Sequence, residues 1–199
     1  MERTQVIKTA KSIKTHDKVV NIYNSINPLP RGYKLQYSDA WCASYVSAVL
    51  HLCGYDAIAE CSCVVMTKRA KELGLWKTSA YKPQVGDIIM YDWNNNNVPN
   101  HTGIITDVIN NTLTVIEGNK SGAIGYRTLN ITSKYIEGYI VPPYDKSANM
   151  SHTELLERVY KSIDDIVSGI IKGDFGNGDT RKESLYKYFQ NLVNERLNK

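Results

Sequence analysis

The 199-residue chain has no stretch approaching the roughly 18 consecutive apolar residues that a membrane span requires. Its first twenty residues, MERTQVIKTAKSIKTHDKVV, have no uninterrupted apolar core, so the expectation is a protein made in a cytoplasm without a secretory signal. Lys and Arg never gather into a run, which excludes a basic nucleic-acid-binding tail, and no nucleic-acid or membrane partner is expected. Phe is nearly absent, with 2 copies, whereas Tyr occurs 14 times and supplies most of the aromatic surface. Cysteine is sparse at four positions, 42, 53, 61 and 63. With no secretory signal, these read as reduced thiols rather than a disulfide framework.

What is present is enough for a packed core. Hydrophobic residues make up 42% of the chain, which excludes a wholly disordered protein. The net charge of +4 comes from residues 1–149, which hold 16 Lys and Arg against 12 Asp and Glu; residues 150–199 hold 8 of each. A mildly basic first part favours polyanionic partners. A zinc site can be drawn from His51, Cys53, Cys61 and Cys63, but the spacing fits no common ligand pattern, and positions 51 and 53 of a helix point apart. Buried structural thiols are the simpler reading, and no metal or cofactor is expected.

Apolar periodicity over residues 4–26 predicts one or two amphipathic helices, and NPLPRGY (27–33) is a turn-rich break. Ser38 and Asp39 are good helix-starting residues. Trp41, Tyr45, Val46, Val49, Leu50 and Cys53 then follow at helical spacing up to Gly54, and a shorter helix is predicted over 64–73. After Pro83 the pattern changes. DIIMYDW (87–93), HTGIITDVI (101–109), TLTVIEG (112–118), AIGYRTL (123–129) and GYIVPPY (138–144) read as strands, with Asn110-Asn111 as a hairpin turn. Helices therefore precede an antiparallel sheet, an α+β arrangement over residues 1–144. A polar linker is read over 145–153, and a small all-α module over 154–199, whose helices are interrupted at GDFGNGD (173–179). Fewer than fifty residues make a small core, so packing on the first domain or self-association into a homo-oligomer through these helices can help.

Cys42 falls in the first turn of its predicted helix, where unpaired N–H groups and the helix dipole favour a thiolate. Its backbone N–H can contribute to an oxyanion hole. The plain alternative is a half-buried cysteine at a helix start. His101 opens an apolar strand after a polar loop, and a hairpin turned at 110–111 places it opposite residue 119 or 120. Either Glu117 or Asn119 can then hold one imidazole nitrogen while the other faces the thiol, the arrangement of cysteine hydrolases. A solvated strand end is the alternative for both. Tyr37, Trp41 and Trp93 are candidate substrate-cleft aromatics, with core packing as the alternative, evenly so for Trp41.

DAWCASYVSAVL (39–50), KPQVGDIIMYDW (82–93), HTGIITDV (101–108) and TVIEGN (114–119) together resemble the cysteine- and histidine-dependent amidohydrolase/peptidase (CHAP) domain, over roughly residues 20–144. The resemblance implies a papain-like fold with Cys42 as nucleophile, His101 as base, Glu117 as its orienter and Asn119 as a further polar group at the site. It also implies cleavage of peptidoglycan, at the sugar–peptide amide or within the stem or cross-bridge. Some members bind calcium in an Asp-rich loop before the cysteine; RGYKLQYSDA (31–40) has one carboxylate there, so no calcium requirement is expected. Residues 163–197 resemble the short cell-wall-binding repeat that ends some phage lysozymes, through Ile170–Gly173, Asp174-Phe175-Gly176-Asn177-Gly178, Arg181 and Val193-Asn194. Between Leu185 and Gln190 the match is shortened. That resemblance implies wall binding through Asp174, Phe175, Asn177 and Arg181. The combined expectation is a phage endolysin that acts on the wall after release from the host cytoplasm. An amidase of the same fold acting on a soluble amide, and a non-catalytic wall-binding protein, are the alternatives.

Overall fold

A computed structural model of the chain describes residues 1–144, 164 and 166–197. They fall in two compact units, one within 1–149 and the other within 150–199. The linker read over 145–153 and the first part of the helix read from Leu155 lie outside the described residues.

The first unit is α+β. Helices α1 (Arg3–Ser12), α2 (His16–Asn24), α3 (Cys42–Leu52) and α4 (Cys63–Glu72) precede strands β1 (Trp76–Thr78), β2 (Ile88–Tyr91), β3 (His101–Ile109), β4 (Thr112–Lys120), β5 (Ala123–Asn130) and β6 (Ile136–Ile140). The sheet order is β1-β6-β2-β3-β4-β5, every neighbouring pair antiparallel. The 4–26 periodicity resolves into two helices, because the chain turns extended at Ile13 and Thr15, whose hydroxyl accepts from the Lys18 N–H and caps α2. Asn110 and Asn111, with φ of 46° and 67°, make the β3–β4 hairpin, a left-handed pair that Asn tolerates well. Strand β1 lacked a sequence signal, since it has three residues and pairs only with β6.

The sheet separates two cores. Ile88, Met90, Ile104 and Ile116 pack with the helices, whereas Ile89, Tyr91, Ile105, Val115 and Tyr139 pack on the other face. All four residues of β2 are therefore buried, which explains its continuous apolar run. Helix α3 is buried from Cys42 through Leu50, as expected of a helix enclosed on all sides. Two of its buried hydroxyls find partners: Tyr45 donates to Ala10 O, and Ser47 donates to Glu60 O while accepting from Glu60 N; the buried Ser44 hydroxyl has none among the described residues. The expected helix start at Ser38 or Asp39 is corrected to Cys42. Asp39 Oδ2 instead accepts from the Gln36 N–H and the Tyr33 hydroxyl, closing a loop, and Trp41 takes the N-cap position without a side-chain cap.

In the second unit, a helix over 166–172 (α5) and α6 (Gly178–Leu197) flank a turn. Gly173 and Gly176, with φ of 83° and 73°, adopt a backbone that L side chains rarely take. Among the described residues, no helix is long and apolar enough to cross a membrane.

Candidate active site

The N-terminus of α3 and the start of β3 build the site. Cys42 is the first residue of α3 and is 5% exposed. Extending the β3–β4 register, in which Ile104 faces Ile116, puts His101 opposite Asn119. Glu117, two residues back, is His101's diagonal neighbour, and its Oε2 accepts from His101 Nε2 at 3.1 Å. With Nε2 taken, Nδ1 is the nitrogen left for the thiol. Asn119 has left-handed backbone (φ 55°) where the β4–β5 register shifts, and the carboxylate rather than this amide holds the ring.

Glu117 is fully buried, and its charge is met on both oxygens. Arg127 on β5 donates from Nε to Oε1 at 2.7 Å and from Nη2 to Oε2 at 3.1 Å. Burial pushes the Glu117 carboxyl up, but His101 and Arg127 outweigh it and the net shift is downward. Arg127 also lies 4.6 Å over the Trp93 ring, and Trp93 stacks on Tyr91, which stacks on His101. This column keeps one face of the imidazole covered. Sequence reading named neither Arg127 nor Tyr91, because only strand pairing brings β5 and β2 beside β3 and β4.

Two glycines make room for the arrangement. A Cβ at Gly103 would lie 2.6 Å from Val115 Cγ1 and 2.8 Å from Glu117 Cγ, so the Glu117 side chain runs through space that only glycine leaves. A Cβ at Gly118 would collide with Tyr45, where β4 meets α3.

The electrostatics favour a charged pair. The Cys42 thiol is lowered to about 5: the Cys63 thiol contributes most, burial opposes, and His101 and the Ala43 backbone lower it further. Burial lowers the His101 imidazolium, but contacts with Cys42 and Glu117 outweigh it and raise the group to about 9. Between those limits the thiolate–imidazolium form dominates. Cys63, first residue of α4, has its Sγ 3.7 Å from Cys42 Sγ. Nothing in a spacing of 21 residues signalled that contact.

Cys42 opens into a groove of about 410 Å³, lined also by Arg31, Tyr33, Asp39, Cys61, Cys63 and Asn100. Arg31 forms a fork with buried Glu60 through Nε and Nη2. The three candidate aromatics lie elsewhere. Trp41 is 3% exposed and stacks on His16; Tyr37 is exposed with its edge to His16; Trp93 belongs to the column behind His101. The drawn zinc set does not converge: His51 pairs with Asp56, and Cys53 lies beside Thr9. Among the described residues, no group of three or more His, Cys, Asp or Glu is placed to hold a metal.

In the second unit, Arg181 donates to Gly176 O and Asn177 Oδ1, each at 2.9 Å, and Phe175 sits edge-on to Tyr188. A Cβ at Gly169 would lie 2.7 Å from Phe175. Three of the four candidate wall-binding residues thus hold the turn itself, while Asp174 is exposed.

The CHAP domain model matches residues 32–119, and the CW_7 repeat model matches residues 164–197. Among solved structures, the chain is similar to the crystal structure of Ly7917, at 14% identity and a TM-score of 0.46, over 72% of this chain and 63% of that one. The same protein with the hydrolyzing product of MDP gives 13% identity and a TM-score of 0.45, over 71% and 63%. A similar-to-lipoprotein NLP/P60 family protein from Staphylococcus aureus subsp. aureus Mu50 gives 13% and 0.37, over 70% and 42%. The chain therefore spans about 63% of the length of Ly7917. No curated protein matches it.

Proposed function

From a chain whose residues 32–119 match the CHAP domain model and whose residues 164–197 match the CW_7 repeat model, we propose a peptidoglycan hydrolase of the endolysin kind, cutting a wall amide through Cys42. The observation that carries this reading is Cys42 at the head of α3 beside His101, whose Nε2 is tied to a buried Glu117.

In the proposed reaction the Cys42 thiolate attacks the amide carbon, and the carbonyl electron pair moves onto oxygen. The Cys42 N–H and the positive end of α3 stabilise that oxyanion. The His101 imidazolium gives its proton to the departing amine nitrogen, the C–N bond breaks, and a thioester remains. Neutral His101 then takes a proton from water, whose oxygen attacks the thioester, and the thiolate leaves as the carboxylic acid forms. Glu117 orients His101, Arg127 positions Glu117, and Asn119 adds a polar group beside them. The second unit would carry the enzyme to the wall, and the mildly basic first unit suits the acidic polymers of Gram-positive walls.

Purified Gram-positive sacculi digested by wild type and by Cys42→Ala test the proposal by mass spectrometry of released fragments. Release by wild type alone supports it; free stem peptides then mean an amidase, and split stems or bridges an endopeptidase. No release by either from several wall chemotypes contradicts it.

A further inference from the structure

Cys63 makes and breaks no bond in the reaction above, yet it shares the groove with the nucleophile. Cys42 and Cys63 each begin a helix, so the open N-terminal turns of α3 and α4 meet with the two sulfurs 3.7 Å apart. Both are less than a tenth exposed, but both line the solvent-open groove, so a small oxidant reaches them. Of the other two thiols, Cys61 also lines the groove but sits against Arg31 Nη2 at 3.4 Å, and Cys53 contacts Thr9 at 3.5 Å. A bond between sulfurs is about 2.05 Å long, so closure needs a shift of between one and two ångströms, within reach of χ1 rotation and small movement of two first helical turns.

We propose that Cys63 is a resolving cysteine for Cys42, closing an intramolecular disulfide that reversibly switches off and protects the nucleophile. The oxidant class is a peroxide. The Cys42 thiolate attacks one oxygen of hydrogen peroxide, the O–O bond breaks, and the departing hydroxide takes the His101 imidazolium proton as water, giving the sulfenic acid. Cys63 sulfur then attacks the Cys42 sulfur, the S–OH bond breaks, and hydroxide leaves, taking up the Cys63 proton as water. Two thiols lose two electrons and two protons, and one peroxide becomes two waters. A dithiol reductant reverses the exchange. The disulfide intercepts the sulfenic acid before a second peroxide carries it to the irreversible sulfinic acid. The low-pKa thiolate argued above is the species that reacts. The consequence for activity rests on Cys42 being the hydrolytic nucleophile; the cross-link itself does not.

The test treats full-length protein with hydrogen peroxide, blocks remaining thiols with iodoacetamide, and maps peptides without reduction. The expected result is a Cys42–Cys63 cross-linked peptide, a mass lower by two hydrogens, and loss of wall-lytic activity that dithiothreitol restores. In Cys63→Ser, the same treatment should leave Cys42 as sulfinic or sulfonic acid, beyond rescue by dithiothreitol. Uncross-linked sulfinic acid at Cys42 of wild type, a link to Cys61 instead, or equal dithiothreitol rescue in Cys63→Ser would overturn the proposal. The peptide map needs no substrate, so a failed hydrolase reading shows separately as reduced wild type that releases no wall fragments.

Discussion

His101 Nε2 and Glu117 Oε2 lie 3.1 Å apart as diagonal neighbours across β3 and β4, and the carboxylate of that pair is fully buried. Glu117 thereby fixes the ring and favours its protonated form. Glu117→Gln keeps the shape and removes the charge. The His101 group should fall from about 9, so the alkaline limb of kcat/KM moves to lower pH, and kcat should drop by roughly 10²-fold. An unchanged alkaline limb in a wall-turbidity assay counts against this role.

Arg127→Met removes the guanidinium partner of Glu117. Losing two charge-assisted hydrogen bonds to a buried carboxylate should cost about 2 kcal/mol. The sign with pH follows from the depressed Glu117 group. Its contribution to stability is present above the ordinary carboxylate range and is lost as pH falls through the lower folded value. Without Arg127 the depression shrinks, so that contribution shrinks and acid unfolding begins at higher pH. Thermal melts from pH 3 to 7, read as about one pH unit resolution, should show this; Arg127→Lys should recover part of the loss.

Gly103→Ala inserts a methyl group against Val115 and Glu117. Overpacking of that kind costs about 1–3 kcal/mol. Because the Glu117 side chain must give way, activity at a temperature well below the melt should fall as well. Full activity there would show that the carboxylate has room to spare.

In the second unit, Arg181→Ala removes two hydrogen bonds that close the glycine turn. If this unit carries the protein to the wall, the variant should pellet less with sacculi while its cleavage of small soluble wall peptides stays at the wild-type rate. Equal pelleting would place wall binding elsewhere.

The helical first half, the five longer strands and the Asn110-Asn111 turn were legible because each follows from local periodicity or turn chemistry. Cys42 at a helix head and His101 at a strand head were legible for the same reason, and the hairpin turn brought Glu117 within reach of His101. Arg127, Tyr91 and Cys63 were not, since each meets the site through pairing or packing between elements distant in sequence. Trp41 was open either way because an aromatic next to the nucleophile can face cleft or core; here it is buried and stacks on His16. Asn119 lost the imidazole to Glu117 because its left-handed backbone, where the β4–β5 register shifts, interrupts the strand alternation, whereas the longer Glu117 carboxylate reaches back along the diagonal.

The proposed hydrolysis requires that Cys42 rest as a thiolate paired with the His101 imidazolium. That pairing is tested most directly by the rate of iodoacetamide alkylation at Cys42, followed by peptide mass spectrometry across the pH range. An inflection at about 5 is expected in wild type, moved upward in His101→Ala. A single inflection in the ordinary thiol range, unchanged by loss of His101, would contradict it.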